Sequence, residues 1–199
     1  MARKRSRPLP DVLTADEFKR LFDAPNQRCP TGQRNYLMLK VMGNLGLRVS
    51  EVVSLQLRDI NLKQGILKVR MGKGLKDRLM YFNPGDQTLM AAWLEARKSF
   101  AGGEPLGKVF VTLKGGPVSV RYVRYMVERY ARRAGIEKSV YPHLLRHTFA
   151  TVLYRNTKNL LTVRDALGHR DIGTTQIYTH LANHEVEAAL RGFQVEAAP

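Results

Sequence analysis

Residues 142–181 read PHLLRHTFATVLYRNTKNLLTVRDALGHRDIGTTQIYTHL, and they hold four of the five histidines of a 199-residue chain. His143 and Arg146 are three apart, so a helix would place them on one face. Leu144, Leu145, Phe149, Val152 and Leu153 add apolar positions at mixed three- and four-residue spacing, the pattern of a well-buried helix. A shorter helix is expected over 160–167, closed by Gly168 just before His169. Tyr178 follows a Thr-Thr-Gln-Ile segment. A phenol, an arginine and two imidazoles, with no paired carboxylates to hold a metal, suit a phosphodiester better than a carbonyl. The reason is that an arginine fork matches phosphate oxygens. Taken singly, each of these side chains is more often structural than chemical, so the reading rests on their combination with residues upstream.

The charge balance points the same way. Lys and Arg number 33 against 17 Asp and Glu, a net charge of +16. An excess that large, spread along the chain rather than confined to a tail, calls for a polyanionic partner, with nucleic acid the foremost. Hydrophobic residues at 44% are enough for a sizeable core and exclude disorder over the whole chain. Cys29 is the only cysteine, which excludes an intramolecular disulfide and a cysteine-cluster zinc site. His143 and His147 have the four-residue spacing of a helical metal pair. The residues between them are Leu-Leu-Arg, without the glutamate of HExxH, and the arginine would repel a cation. A metal site is therefore not expected. No run reaches the length of a membrane span and the N-terminus lacks the apolar core of a signal peptide, so a cytoplasmic protein is expected.

Residues 1–10, MARKRSRPLP, read as a basic arm, and 11–199 as one domain. Thr14 and Glu17 form a capping box for a helix reaching about Asp23, with Phe18, Leu21 and Phe22 facing inward. A long apolar helix is expected over 33–45, ended by Gly46. Arg48 then lies beside the start of a short helix, where Glu51 can pair with it and orient it. Residues 59–82 read as a hairpin. Ile66, Val69 and Met71 are assigned to its first strand and Leu79, Tyr81 and Phe82 to its second. Its turn carries Lys73 between two glycines, the cation best able to approach a substrate; Lys76 and Arg78 read equally as solvated or as DNA contacts. Asn83-Pro84 opens another helix, to about Phe100. Val109-Phe110-Val111 reads as a third strand, and 117–134 as a basic helix interleaved with tyrosines, suited to a DNA groove.

Arg48, Lys73, His143-Leu-Leu-Arg146-His147, Leu167-Gly-His169 and Tyr178 occur in the order and approximate spacing of the tyrosine recombinases, the phage integrase family. GLRVSE (46–51), LGHR (167–170) and TTQIYTH (174–180) resemble family segments of the Xer and integron-integrase type. The resemblance covers nearly the whole chain. It implies an α+β catalytic fold, mostly helical with a small three-stranded antiparallel sheet. It also implies a site-specific recombinase that cleaves and rejoins double-stranded DNA through a 3′-phosphotyrosyl link, an exchange of one phosphodiester for another for which no cofactor is expected. The implied catalytic residues are Arg48, Lys73, His143, Arg146, His169 and Tyr178. Tyr178 is the nucleophile, His143 its proton acceptor, Arg48 and Arg146 the phosphate clamp, Lys73 the general acid and His169 a phosphate hydrogen-bond partner. His147 and His180 are read as structural.

Assembly follows the same resemblance: a homo-tetramer on DNA is expected, which is compatible with a monomer in solution, and no membrane partner is expected. The helix over 183–193 would dock on a neighbouring protomer. Two departures stand out. No N-terminal helical domain of the kind that clamps DNA in the family is expected in this chain, its basic arm resembling the linker, and YRNTKN (154–159) replaces the usual glycine-containing helix break. Two other readings use the same residues: a non-catalytic DNA-binding regulator, and a type IB topoisomerase acting as a monomer.

Overall fold

The computed structural model describes residues 12–70, 77–100 and 107–168. Lys73, His169, Tyr178 and the segment 183–193 lie outside them. Seven α-helices are found among the described residues: α1 Ala15–Asp23, α2 Pro30–Asn44, α3 Val49–Ser54, α4 Pro84–Ala96, α5 Val120–Arg133, α6 Pro142–Thr157 and α7 Leu160–Leu167. A three-stranded antiparallel sheet, β1 Ile60–Asn61, β2 Ile66–Val69 and β3 Arg78–Tyr81, is inserted between α3 and α4. This is the α+β, mostly helical architecture expected. No helix among the described residues is long and apolar enough to cross a membrane.

Local chemistry sets most of the boundaries. Thr14 and Glu17 close the capping box on α1, with Thr14 N–H donating to the Glu17 carboxylate at 2.8 Å. The Asn83 side chain caps α4 by accepting from Asp86 N–H at 2.9 Å. Helix α2 begins three residues earlier than its apolar pattern, because Pro30 occupies the first turn, where no N–H is needed. Helix α5 begins at Val120 rather than 117, with the Ser119 hydroxyl as its cap. Helix α7 ends on Gly168 in the left-handed region, φ +63°. Helix α6 ends on Lys158 in the same region at φ 53°, where no glycine stands.

Buried residues of α2 (Leu37, Met38, Leu39, Met42), α4 (Met90, Trp93), α5 (Val123, Met126, Val127) and α6 (Leu144, Leu145) make one continuous core. Helix α2 lies at its centre, packed on α1, α3, α4 and α6. A smaller cluster of Ala150, Tyr154, Val163 and Leu167 seats α7 against α6. Val152, expected to face inward, is on the exposed side of α6.

Two strand assignments are corrected. The third strand is not 109–111 but Ile60–Asn61, paired with β2. Val109, Phe110 and Val111 are fully buried and make only isolated bridges around them; the Val109 and Val111 carbonyls accept from side chains, Trp93 Nε1 and Arg34 Nη1, both at 2.9 Å. The second strand, expected to include Phe82, ends at Tyr81. Leu67 faces Met80 and Val69 faces Arg78 on the buried side, leaving Leu79 at 51% and Tyr81 at 65% exposure outside. Alternation along β3 puts Arg78 on the buried face with Met80.

Candidate active site

The site grows out of the turn between α2 and α3. Gly46 ends α2 with φ +62°, and a Cβ there would lie 2.3 Å from the Phe149 ring of α6. Only a glycine lets the chain turn this close to α6. Two residues on, Arg48 is the N-cap of α3, and the Glu51 carboxylate folds back to accept from its backbone N–H at 2.8 Å. The same carboxylate accepts from Arg48 Nη1 at 2.9 Å, which holds the guanidinium at the helix start. The Arg48–Glu51 pairing expected from the spacing is therefore present, with Arg48 37% exposed and Glu51 buried.

Arg146 enters from α6 and is only 3% exposed. Its Nη1 donates to Gly46 O and its Nη2 to Leu167 O, both at 2.6 Å. The second bond places a fixed cation on the C-terminal carbonyls of α7, the negative end of that helix. Arg146 Nη1 also stands 3.8 Å from Glu51 Oε2. One guanidinium thus ties together the Gly46 turn, Glu51 and the helix that leads to His169.

Arg48, His143 and Arg146 line one cleft of about 450 Å³, together with Arg124, Glu128 and Tyr141. His143 sits at its exposed mouth, one turn before Arg146. Partial burial first, then the positive charges of Arg146 and Arg48, push the His143 pKa below the ordinary histidine value. The imidazole is therefore neutral at neutral pH and ready to accept a proton. His147, one turn further along, is buried behind it. Burial and the His143 charge lower its pKa in the same way, and it does not line the cleft.

Arg78 is the residue whose position the sequence did not reveal. It is 8% exposed on β3 and forms a two-pronged ion pair with Glu51, Nη1 to Oε1 at 2.9 Å and Nη2 to Oε2 at 2.8 Å. Its burial rules out the solvated-tip reading. Its spacing of two from Met80, on the face opposite Leu79, was the available signal. Burial opposes ionisation of Glu51, but the Arg78 fork, the Arg48 backbone N–H and the Arg146 charge outweigh it and hold the carboxyl below its usual range. Among the described residues no group of three or more His, Cys, Asp or Glu could hold a metal ion. The cleft's charge comes from guanidiniums.

Of the six residues assigned to catalysis, the structure brings Arg48, His143 and Arg146 together; Lys73, His169 and Tyr178 are outside the described residues. Comparison with known proteins adds to this geometry. The phage integrase family matches residues 11–185. Tyrosine recombinase XerD of Pseudomonas putida is 39% identical over 186 residues, covering 91% of this chain and 61% of that protein. The chain thus spans about six-tenths of that relative's length. The crystal structure of XerA recombinase superposes with a TM-score of 0.80 at 32% identity, covering 95% of this chain and 68% of that one. XerH site-specific recombinase bound to palindromic difH substrate, a post-cleavage complex, gives 0.78 at 29% identity, covering 95% and 55%.

Proposed function

The chain belongs to the phage integrase family, and on that premise we propose that it is the catalytic part of a site-specific recombinase acting on double-stranded DNA. One observation carries the reading: Arg48 and Arg146, from distant segments, are both organised around Glu51 at a cleft that also holds His143. Two fixed guanidiniums beside a proton acceptor fit a phosphodiester. The XerH relative, crystallised on its DNA substrate, supports DNA as the partner.

In this reading the Tyr178 phenol oxygen attacks the scissile phosphorus while the bond to the 5′-oxygen breaks. The products are a 3′-phosphotyrosyl link and a free 5′-hydroxyl. One phosphodiester replaces another, so no high-energy cofactor is consumed. A free phenol has a pKa of about 10 and is a weak nucleophile at neutral pH, so it needs a base and a positive field. His143 takes the phenol proton. Arg48 and Arg146 bind the non-bridging oxygens, where negative charge builds, and such preorganised donors are worth about 3–4 kcal/mol each. Lys73 protonates the departing 5′-oxygen, and His169 hydrogen-bonds the phosphate. Glu51 orients the arginines. Residues 11–199 act as the catalytic domain, assembling as a homo-tetramer on DNA, with 183–193 docking on a neighbouring protomer.

The test is covalent capture. A pool of nicked duplexes of randomised sequence traps the phosphotyrosyl adduct, because the cleaved fragment diffuses away before religation. Adduct is expected from the wild-type chain and none from Tyr178→Phe. An adduct that persists in the variant means that another residue is the nucleophile. Salt-sensitive DNA binding without adduct under any condition favours a binding module instead.

A further inference from the structure

Arg78 has no part in the proposed chemistry, yet it makes the most complete ion pair of the site. Both Glu51 oxygens accept from it, at 2.9 and 2.8 Å, in a fork-to-fork arrangement. Arg48 reaches the same carboxylate with one side-chain nitrogen and its backbone N–H, and Arg146 stands 3.8 Å away. Three guanidiniums from α3, β3 and α6 therefore face one buried carboxylate. The other arginine beside the sheet, Arg70, is paired to Asp59, so the two arginines are sorted onto different acids.

We infer that Arg78 is a positioning residue: by saturating Glu51 it keeps the Arg48 and Arg146 guanidiniums available to the scissile phosphate. The inference rests on the recombinase reading above. A buried carboxylate recruits whatever donors can reach it, because an unmade charged hydrogen bond in the interior is costly. With Arg78 gone, Glu51 would take the two missing bonds from Arg48 and Arg146, turning N–H groups away from the cleft. The site would also lose one positive charge beside a transition state that gains negative charge. If Arg78 only anchored β3 to α3, its loss would lower stability, and any fall in activity would not depend on the charge of the substrate.

That difference defines the experiment. Wild type, Arg78→Met and Arg78→Lys are compared in single-turnover adduct formation on a duplex recovered from the capture pool. The same duplex is then used with a methylphosphonate at the scissile position, which removes the charge the arginines balance. Thermal melts and duplex affinity are measured alongside. Arg78→Met is expected to slow adduct formation about 10- to 100-fold on the phosphodiester, with affinity within about twofold and the gap narrowing to about threefold on the methylphosphonate. Arg78→Lys, which keeps the charge but not the fork, should recover part of the rate, and it carries the comparison if the methionine variant does not fold. Equal slowing on both substrates, or a loss that only follows the folded fraction, overturns the inference. If the wild type captures no duplex, the recombinase reading itself falls; if wild type and Arg78→Met react equally fast, only the role of Arg78 falls.

Discussion

Arg146 donates to the backbone carbonyl of Gly46 at 2.6 Å across 100 residues of chain. The bond joins the second turn of α6 to the turn that presents Arg48, and the second prong on Leu167 O joins both to α7. Positions of the cleft arginines are thus mutually dependent, and disturbing the turn should be felt at both.

Gly46→Ala tests that dependence. The new Cβ would meet the Phe149 ring at 2.3 Å, and φ +62° is unfavourable for any L side chain. We expect a loss of about 2–4 kcal/mol from strain and overpacking together. In a chain of this size that lowers Tm by about 2–4 °C per kcal/mol. Adduct formation should fall further than stability, since the carbonyl that holds Arg146 must move. An unchanged Tm would show that the α2–α3 turn has room to relax.

Lys158→Gly should act in the opposite direction. Lys158 closes α6 with φ 53°, and its backbone N–H donates to Tyr154 O at 2.7 Å, a bond that glycine keeps. Relieving a left-handed non-glycine residue at a helix end is worth about 0.5–1 kcal/mol. A higher Tm at unchanged cleavage rate is the expected result. A lower Tm would mean that the lysine side chain contributes more than the strain it carries.

His143 and His147 both have pKa values below the ordinary histidine range in the folded chain. The unfolded chain therefore binds protons more readily, so stability is complete above about pH 6.5 and declines as the pH falls below it. Glu51 is also lowered, so its contribution is present above its ordinary value and is lost only at still more acid pH. Thermal melts between pH 7.5 and about 5 should show a falling Tm that His147→Gln makes shallower. The same steepness in that variant would assign the loss to other groups.

Adduct formation should continue at full rate in excess chelator. The charge that a metal would supply comes here from Arg48 and Arg146, and no three-residue metal-ligating group exists among the described residues. A rate that collapses with chelator and returns with a divalent cation would contradict a guanidinium-based site.

Much of this was legible in the chain. The Thr14–Glu17 box, the Asn83 cap and the Gly168 stop lie within one turn of the groups they satisfy, so a short window contains both partners. His143 and Arg146 share a face for the same reason. The hairpin was located but its phase was not, because Arg78-Leu79-Met80-Tyr81 has an apolar residue on either face. What lies beneath the sheet decides between the two, and there the Glu51 carboxylate accepts the Arg78 guanidinium. Val109-Phe110-Val111 has the composition of a strand but is buried core, with the Val109 and Val111 carbonyls taken by Trp93 and Arg34.

The sequence by itself determined the helical frame, the polyanion-seeking charge and the identities of the arginines and histidines. Local propensity, capping and composition act over a few residues, and all of them can be read along the chain. Only the tertiary structure decided that Glu51 is shared by Arg48, Arg78 and Arg146, and that Arg146 spans Gly46 and Leu167. Those contacts join α3, β3, α6 and α7, and they exist only because burial of a common core brings these distant segments within reach of one another.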